Sequence, residues 1–95
     1  MMPIATFFKD PDDVLDYDVD LARWLPEGDV IVSAVSLISD GSAFITATEP
    51  TDTTVRVWVS GGTSGTDQIV TVRATTEQGR VKDVSFRLRI RSTAP

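Results

Sequence analysis

A chain of 95 residues with no cysteine, no histidine and a net charge of −5 is narrowly bounded from the start. The length fits one domain, and the missing residue types exclude thiolate nucleophiles, disulfides, Cys/His zinc sites, haem ligation and every histidine-based triad. The acidic balance argues against nucleic acid as a direct ligand.

In chain order, residues 1–13 read as an extended N-terminal arm. Pro3 and Pro11 discourage helix, Phe7 and Phe8 are apolar without periodicity, and residues 10–13 form a turn-like acidic cluster. Two adjacent phenylalanines need a surface to cover, either the end of this domain or a neighbouring subunit. Leu15, Tyr17, Val19 and Leu21 then alternate with Asp16, Asp18 and Asp20, a strand with one apolar and one acidic face. Residues 21–25 suit a short helical turn that ends at Pro26-Glu27-Gly28-Asp29. The nearly continuous apolar run of residues 30–38 predicts a more buried strand, and Asp40-Gly41 a turn before a short strand over 43–47.

After a turn at residues 49–52, Val55, Val57 and Val59 alternate with Arg56, Trp58 and Ser60. The chain breaks at residues 61–66, GGTSGT, and resumes alternating from Ile69. Such a pair of runs across a glycine-rich break predicts a β-hairpin with a long loop. Gln78-Gly79 marks another turn, and Val84, Phe86, Leu88 and Ile90 alternate with Ser85, Arg87, Arg89 and Arg91 in the clearest strand. Val, Ile and Thr together make up 30 of the 95 residues, which favours strands. The expectation is an all-β sandwich of six or seven antiparallel strands, with residues 1–13 the arm, 14–92 the sandwich and 93–95 a tail. Trp24 and Trp58 are the natural large core or edge fillers.

No apolar run approaches the 18 residues of a membrane span, and the N-terminus lacks the basic segment of a signal peptide. Charge is unevenly distributed: residues 1–53 carry a balance of −9 and residues 54–95 one of +4. The halves are expected either to pair across neighbouring strands or to present unlike charges on opposite sides, which suits head-to-tail association in a ring.

Candidate chemical sites are weak. Asp16, Asp18, Asp20 and Glu27 superficially match a calcium loop, but the required glycine is Leu21, so a solvated strand face is the better reading. Asp10, Asp12 and Asp13 remain a candidate for a surface cation site. The Gly61–Thr66 segment lacks the lysine and the following helix of a phosphate loop, and reads as glycines supplying positive φ. Arg87, Arg89 and Arg91 form a basic stripe that pairs with Asp16, Asp18 and Asp20 or docks an acidic partner. Only carboxylates are available for acid–base work, so no catalytic residue, metal or cofactor is expected and the chain is read as a non-enzyme.

A string spread over residues 9–91 adds a family resemblance. It comprises Lys9-Asp10-Pro11-Asp12-Asp13 with Leu15-Asp16-Tyr17, then Trp24-Leu25 and Gly28-Asp29. It continues through Val57-Trp58-Val59-Ser60-Gly61-Gly62-Thr63 with Gly65-Thr66, then Gly79-Arg80 and Ser85-Phe86. This string resembles the fiber-tail adaptors, small structural proteins of tailed bacteriophages. The resemblance implies an immunoglobulin-like domain, located in the virion and made in the bacterial host cytoplasm, that attaches fibers to the tail or neck. Its implied partners are other virion proteins, namely tail, neck or portal components and fibers, with several copies in a ring and neither nucleic acid nor membrane. A head-completion, neck or capsid-decoration role is the alternative, and a carbohydrate-binding adhesin a third reading. The family brings no motif of binding residues. Physics nominates Phe7, Phe8, Asp10, Asp12 and Asp13 on the arm, Gly61, Gly62 and Thr63 in the loop, and Arg87, Arg89 and Arg91 on the last strand.

Overall fold

The structure, a computed structural model, describes residues 5–39 and 42–92; residues 1–4 of the arm, the Asp40-Gly41 turn and the 93–95 tail lie outside them. Among the described residues seven strands form: β1 (Thr6–Lys9), β2 (Leu15–Asp20), β3 (Ile31–Ile38), β4 (Ala43–Pro50), β5 (Thr54–Gly61), β6 (Asp67–Thr76) and β7 (Val81–Ile90). They make two sheets, four-stranded in the order β1-β7-β6-β3 and three-stranded in the order β2-β5-β4. The all-β sandwich is therefore as expected. Its strand order agrees with that of an immunoglobulin-like sandwich, which places its C, F and G strands in one sheet and B, E and D in the other. All pairings are antiparallel except β1 with β7, which run parallel from Thr6 opposite Arg87 to Lys9 opposite Ile90.

The period-two patterns locate the core. Val55, Val57 and Val59 of β5 face Val70, Val72 and Ala74 of β6 and Phe86, Leu88 and Ile90 of β7, all fully buried. Each such Val, Leu, Ile or Phe side chain removed from water contributes about 1.5–3 kcal/mol. Tyr17, Val19 and Leu21 close the β2 side, with Trp24 and Leu25 half-buried against them. The turn at 21–25 is a single turn in which the Leu21 carbonyl accepts from the amides of Trp24 and Leu25.

Three expectations change. β5 and β6 belong to different sheets, so residues 61–66 are an arch between layers, not a hairpin loop. Both strands alternate because each buries one face against the opposite sheet, and that pattern is identical in a hairpin and in an arch. The true hairpins are β4–β5 and β6–β7. β3 is not a buried strand: it lies at a sheet edge, with Val32, Val35 and Leu37 exposed. Trp58 points outward from β5, half-buried, with its indole N–H donating to Glu49 at 2.8 Å.

Two polar clamps fix the ends of the sandwich. At one end the buried Asp29 carboxylate accepts from the amides of Val30 (3.0 Å) and Gln78 (3.2 Å) and from the Arg80 guanidinium (2.9 Å). That ties the β2–β3 connection to the β6–β7 hairpin. The other end carries the candidate site.

Candidate functional site

The second clamp centres on Lys9, the last residue of β1. Only 1% of it is exposed, although lysine is almost never fully buried without partners. Its ammonium donates to the carbonyls of Asp10 (2.8 Å), Pro11 (3.5 Å) and Gly61. Burial pushes the Lys9 pKa down, against the nearby carboxylates of Asp13, Asp10 and Asp12, which favour the charged form. The residue thereby fastens β1 and the acidic turn to the end of β5.

Around this lysine the arch closes on β7. Ile90 accepts from the Gly65 amide at 2.8 Å and donates its own amide to Thr66 at 2.9 Å, while the Arg91 amide donates to the Lys9 carbonyl at 2.9 Å. The Thr63 amide donates to Ser42 Oγ, and the Ser92 amide to Ser64 Oγ at 3.0 Å. Gly62 explains the paired glycines. Its φ is +112°, and a Cβ placed there would lie 2.8 Å from Ile90 Cδ1. In the acidic turn, Asp10 accepts from the amides of Asp12 (3.1 Å, at Oδ1) and Asp13 (3.0 Å, at its carbonyl), leaving the Asp12 and Asp13 side chains exposed.

Of the nominated residues, Asp10, Asp12, Asp13, Gly61, Gly62, Thr63 and Arg91 therefore meet at one end of the sandwich, although they come from three distant stretches of chain. Arg89 adjoins this end through Asp67, which it shares with Arg91, whereas Phe7, Phe8 and Arg87 do not join them there. Phe7 turns inward and packs at 5.1 Å from the Tyr17 ring and 5.6 Å from that of Phe86. Phe8 turns outward and is 65% exposed. The two phenylalanines thus point to opposite faces of β1, as alternation along a strand requires, and Phe7, still 36% exposed, covers the edge of the core.

The arginine stripe also sorts itself. Arg89 and Arg91 both flank Asp67, at 3.6 and 3.0 Å. The expected pairing with Asp16, Asp18 and Asp20 is not formed, because β2 and β7 lie in different sheets. Asp16 and Asp18 instead share Arg56 on neighbouring β5, at 3.3 and 3.0 Å. Arg87 has no carboxylate partner among the described residues. Sequence reasoning nominated none of Lys9, Asp29 and Asp67 as a site residue, although Lys9 and Asp29 stand in the family string. For Lys9 a second signal was that it and Arg23 are the only cations in an otherwise acidic first half.

Among the described residues no three carboxylates converge as a metal site requires, and no cleft forms. What this end offers is a rim of exposed carboxylates and hydroxyls over a hydrogen-bonded base. The family model described as podophage GP4 fiber-tail adaptor protein gp77 matches residues 9–89. The chain belongs to this family. The match begins at Lys9 and ends at Arg89, and so spans both sheets, the arch and the acidic turn. No curated protein matches the chain.

Proposed function

We propose that this fiber-tail adaptor is a non-enzymatic structural protein of a bacteriophage virion, attaching fibers to the tail or neck through protein–protein contacts. The observation that carries the reading is the family match over residues 9–89, which takes in the Lys9 and Gly61 of the clamp at the candidate end. The exposed Asp12, Asp13 and Thr63 at this end, with the arch held rigid beneath them, are the proposed partner-binding surface. Rigidity matters here because an interface ordered before binding loses less entropy on docking. The partners are other virion proteins, with several copies arranged around the tail axis; the chain is made in the host cytoplasm and carried in the particle.

The adhesin reading gains nothing from the tryptophans. Trp58 lies on the outer face of the three-stranded sheet, whereas Trp24 packs on the core near Lys82 of β7, whose ammonium lies 6.0 Å from the Trp24 ring. They do not share a face on which a sugar would stack.

The test is a phage lacking this gene, complemented in trans. Without the protein, particles should have tails and lack fibers, and the wild-type chain should restore the fibers. Asp12→Lys combined with Thr63→Tyr should leave the domain folded and the fibers absent. Fully fibered particles made without the protein would refute the proposal.

A further inference from the structure

The outer faces of the two sheets are unlike in charge, and each carries exposed apolar side chains. On the four-stranded sheet, strand register places Arg73, Arg87 and Arg89 outward with Arg91 just beyond β7, against Asp67 and Asp83. Phe8 and Leu37, 65% and 68% exposed, flank this face. Outward on the three-stranded sheet are Asp16, Asp18, Asp20 and Glu49, against Arg56 alone. Phe44, 55% exposed, and Val14 lie at its end. Four guanidinium groups against two carboxylates thus lie opposite four carboxylates against one guanidinium, on the two sides of one thin sandwich.

We infer that these faces are the two halves of a single contact, the four-stranded face of one copy packing on the three-stranded face of the next. Arg87 is central to the argument. It is an outward guanidinium without a carboxylate among the described residues, and across such a contact the surplus carboxylates of a second copy would supply one. The occupant is a second copy because the chain carries both complementary surfaces. Like faces would bring surplus charges of one sign together, which selects against a two-fold dimer. Because the faces lie on opposite sides, the contact is head-to-tail and propagates, closing into a ring where the rotation permits.

Size sets its strength. Three to four strands about 4.8 Å apart, each with eight residues rising about 3.3 Å, give a footprint of roughly 400–500 Å² per face. Specific interfaces bury about 600–1,000 Å² per partner, so this contact is reversible in solution and salt-sensitive. The inference deepens the adaptor reading by naming how copies meet. It is tested separately, on the isolated protein, whereas the adaptor role is tested by fiber loss in particles.

The experiment is sedimentation equilibrium of the full chain at low salt, from micromolar to millimolar concentration, with Arg87→Glu and Phe44→Asp variants whose thermal unfolding is checked in parallel. The wild type should grow past the dimer, and each folded variant alone should associate at least tenfold more weakly. An equimolar mixture should form a one-to-one heterodimer and stop there. Arg87→Glu keeps a sound three-stranded face and Phe44→Asp a sound four-stranded face, while the two spoiled faces repel. A wild type that stays monomeric throughout would overturn the inference, as would a mixture that associates no better than its components. If one variant fails to fold, Val14→Asp replaces Phe44→Asp or Thr6→Glu replaces Arg87→Glu, with the same loss of self-association required.

Discussion

Replacing Gly62 by alanine tests the packing of the arch against β7. Two costs combine at this position. The φ of +112° is one that an L side chain rarely adopts, and such a backbone conformation at a non-glycine residue costs about 1–3 kcal/mol. The added Cβ would also lie 2.8 Å from Ile90 Cδ1 and 3.0 Å from its Cγ1 and Cγ2. Ile90 is fully buried and cannot move into solvent, so overpacking adds about 1–3 kcal/mol. The total, about 2–6 kcal/mol, is a large fraction of a small domain's stability. Gly65→Ala is the reference: φ is +93° there, but no atom lies within 4 Å of its Cβ position, so only the backbone cost applies. Urea unfolding at 25 °C, followed by Trp24 and Trp58 fluorescence, should rank Gly62→Ala below Gly65→Ala by about 1–3 kcal/mol. Adding Ile90→Val, which removes the closest carbon, should make the double variant better than additive by about 0.5–1 kcal/mol. Equal losses at the two glycines, or strict additivity with Ile90→Val, would refute the argument.

Other outcomes follow from the buried polar groups. Lys9→Met should cost about 1–3 kcal/mol by leaving buried carbonyls without a donor, measured by the same unfolding assay. Tyr17→Phe should be neutral or stabilising by about 1 kcal/mol, since the buried hydroxyl has no hydrogen-bond partner among the described residues. Burial, followed by the charges of Asp13 and Asp16, pushes the Tyr17 pKa up to about 12. The unfolded chain therefore loses this proton first, wild-type stability falls as pH rises from about 10 toward 12, and Tyr17→Phe should remove that fall. Asp29 has the opposite sign. Burial opposes its ionisation, but hydrogen bonds from Thr76, Arg80, Gln78 and Val30 outweigh it and hold the pKa below the ordinary carboxylate value. Its contribution is present above the unfolded value of about 3.9 and lost as pH falls through the folded one. Asp29→Asn should thus be less stable than wild type at neutral pH, with the gap closing below about pH 4 in a pH series of urea midpoints.

The strands were legible because burial of one face writes a period of two into the sequence, clearest in Val84 to Ile90. What alternation does not record is the identity of the neighbouring strand, so the β5–β6 arch read as a hairpin and the arginine stripe was matched with the wrong aspartates. β3 misled for a related reason: its apolar run looked buried, yet Val35 and Leu37 occupy an outward edge. Of the candidate end, the glycines and the acidic turn were visible as local signals. The lysine that joins them stood in the family string, but its role was not legible, because the acceptors of its ammonium are backbone carbonyls, which carry no residue identity.

The parallel pairing of β1 with β7 has a consequence for biogenesis. Thr6 is among the first described residues to leave the ribosome and Arg87 among the last, yet they are partners in one ladder. Until β7 emerges, Phe7 has no Phe86 to pack on, and the loop that caps Ile90 cannot set. The first strand therefore works as a latch that closes only on a chain translated through Ile90. A product truncated before β7 would leave the amino-terminal strand without its ladder partner and the Lys9 end unformed.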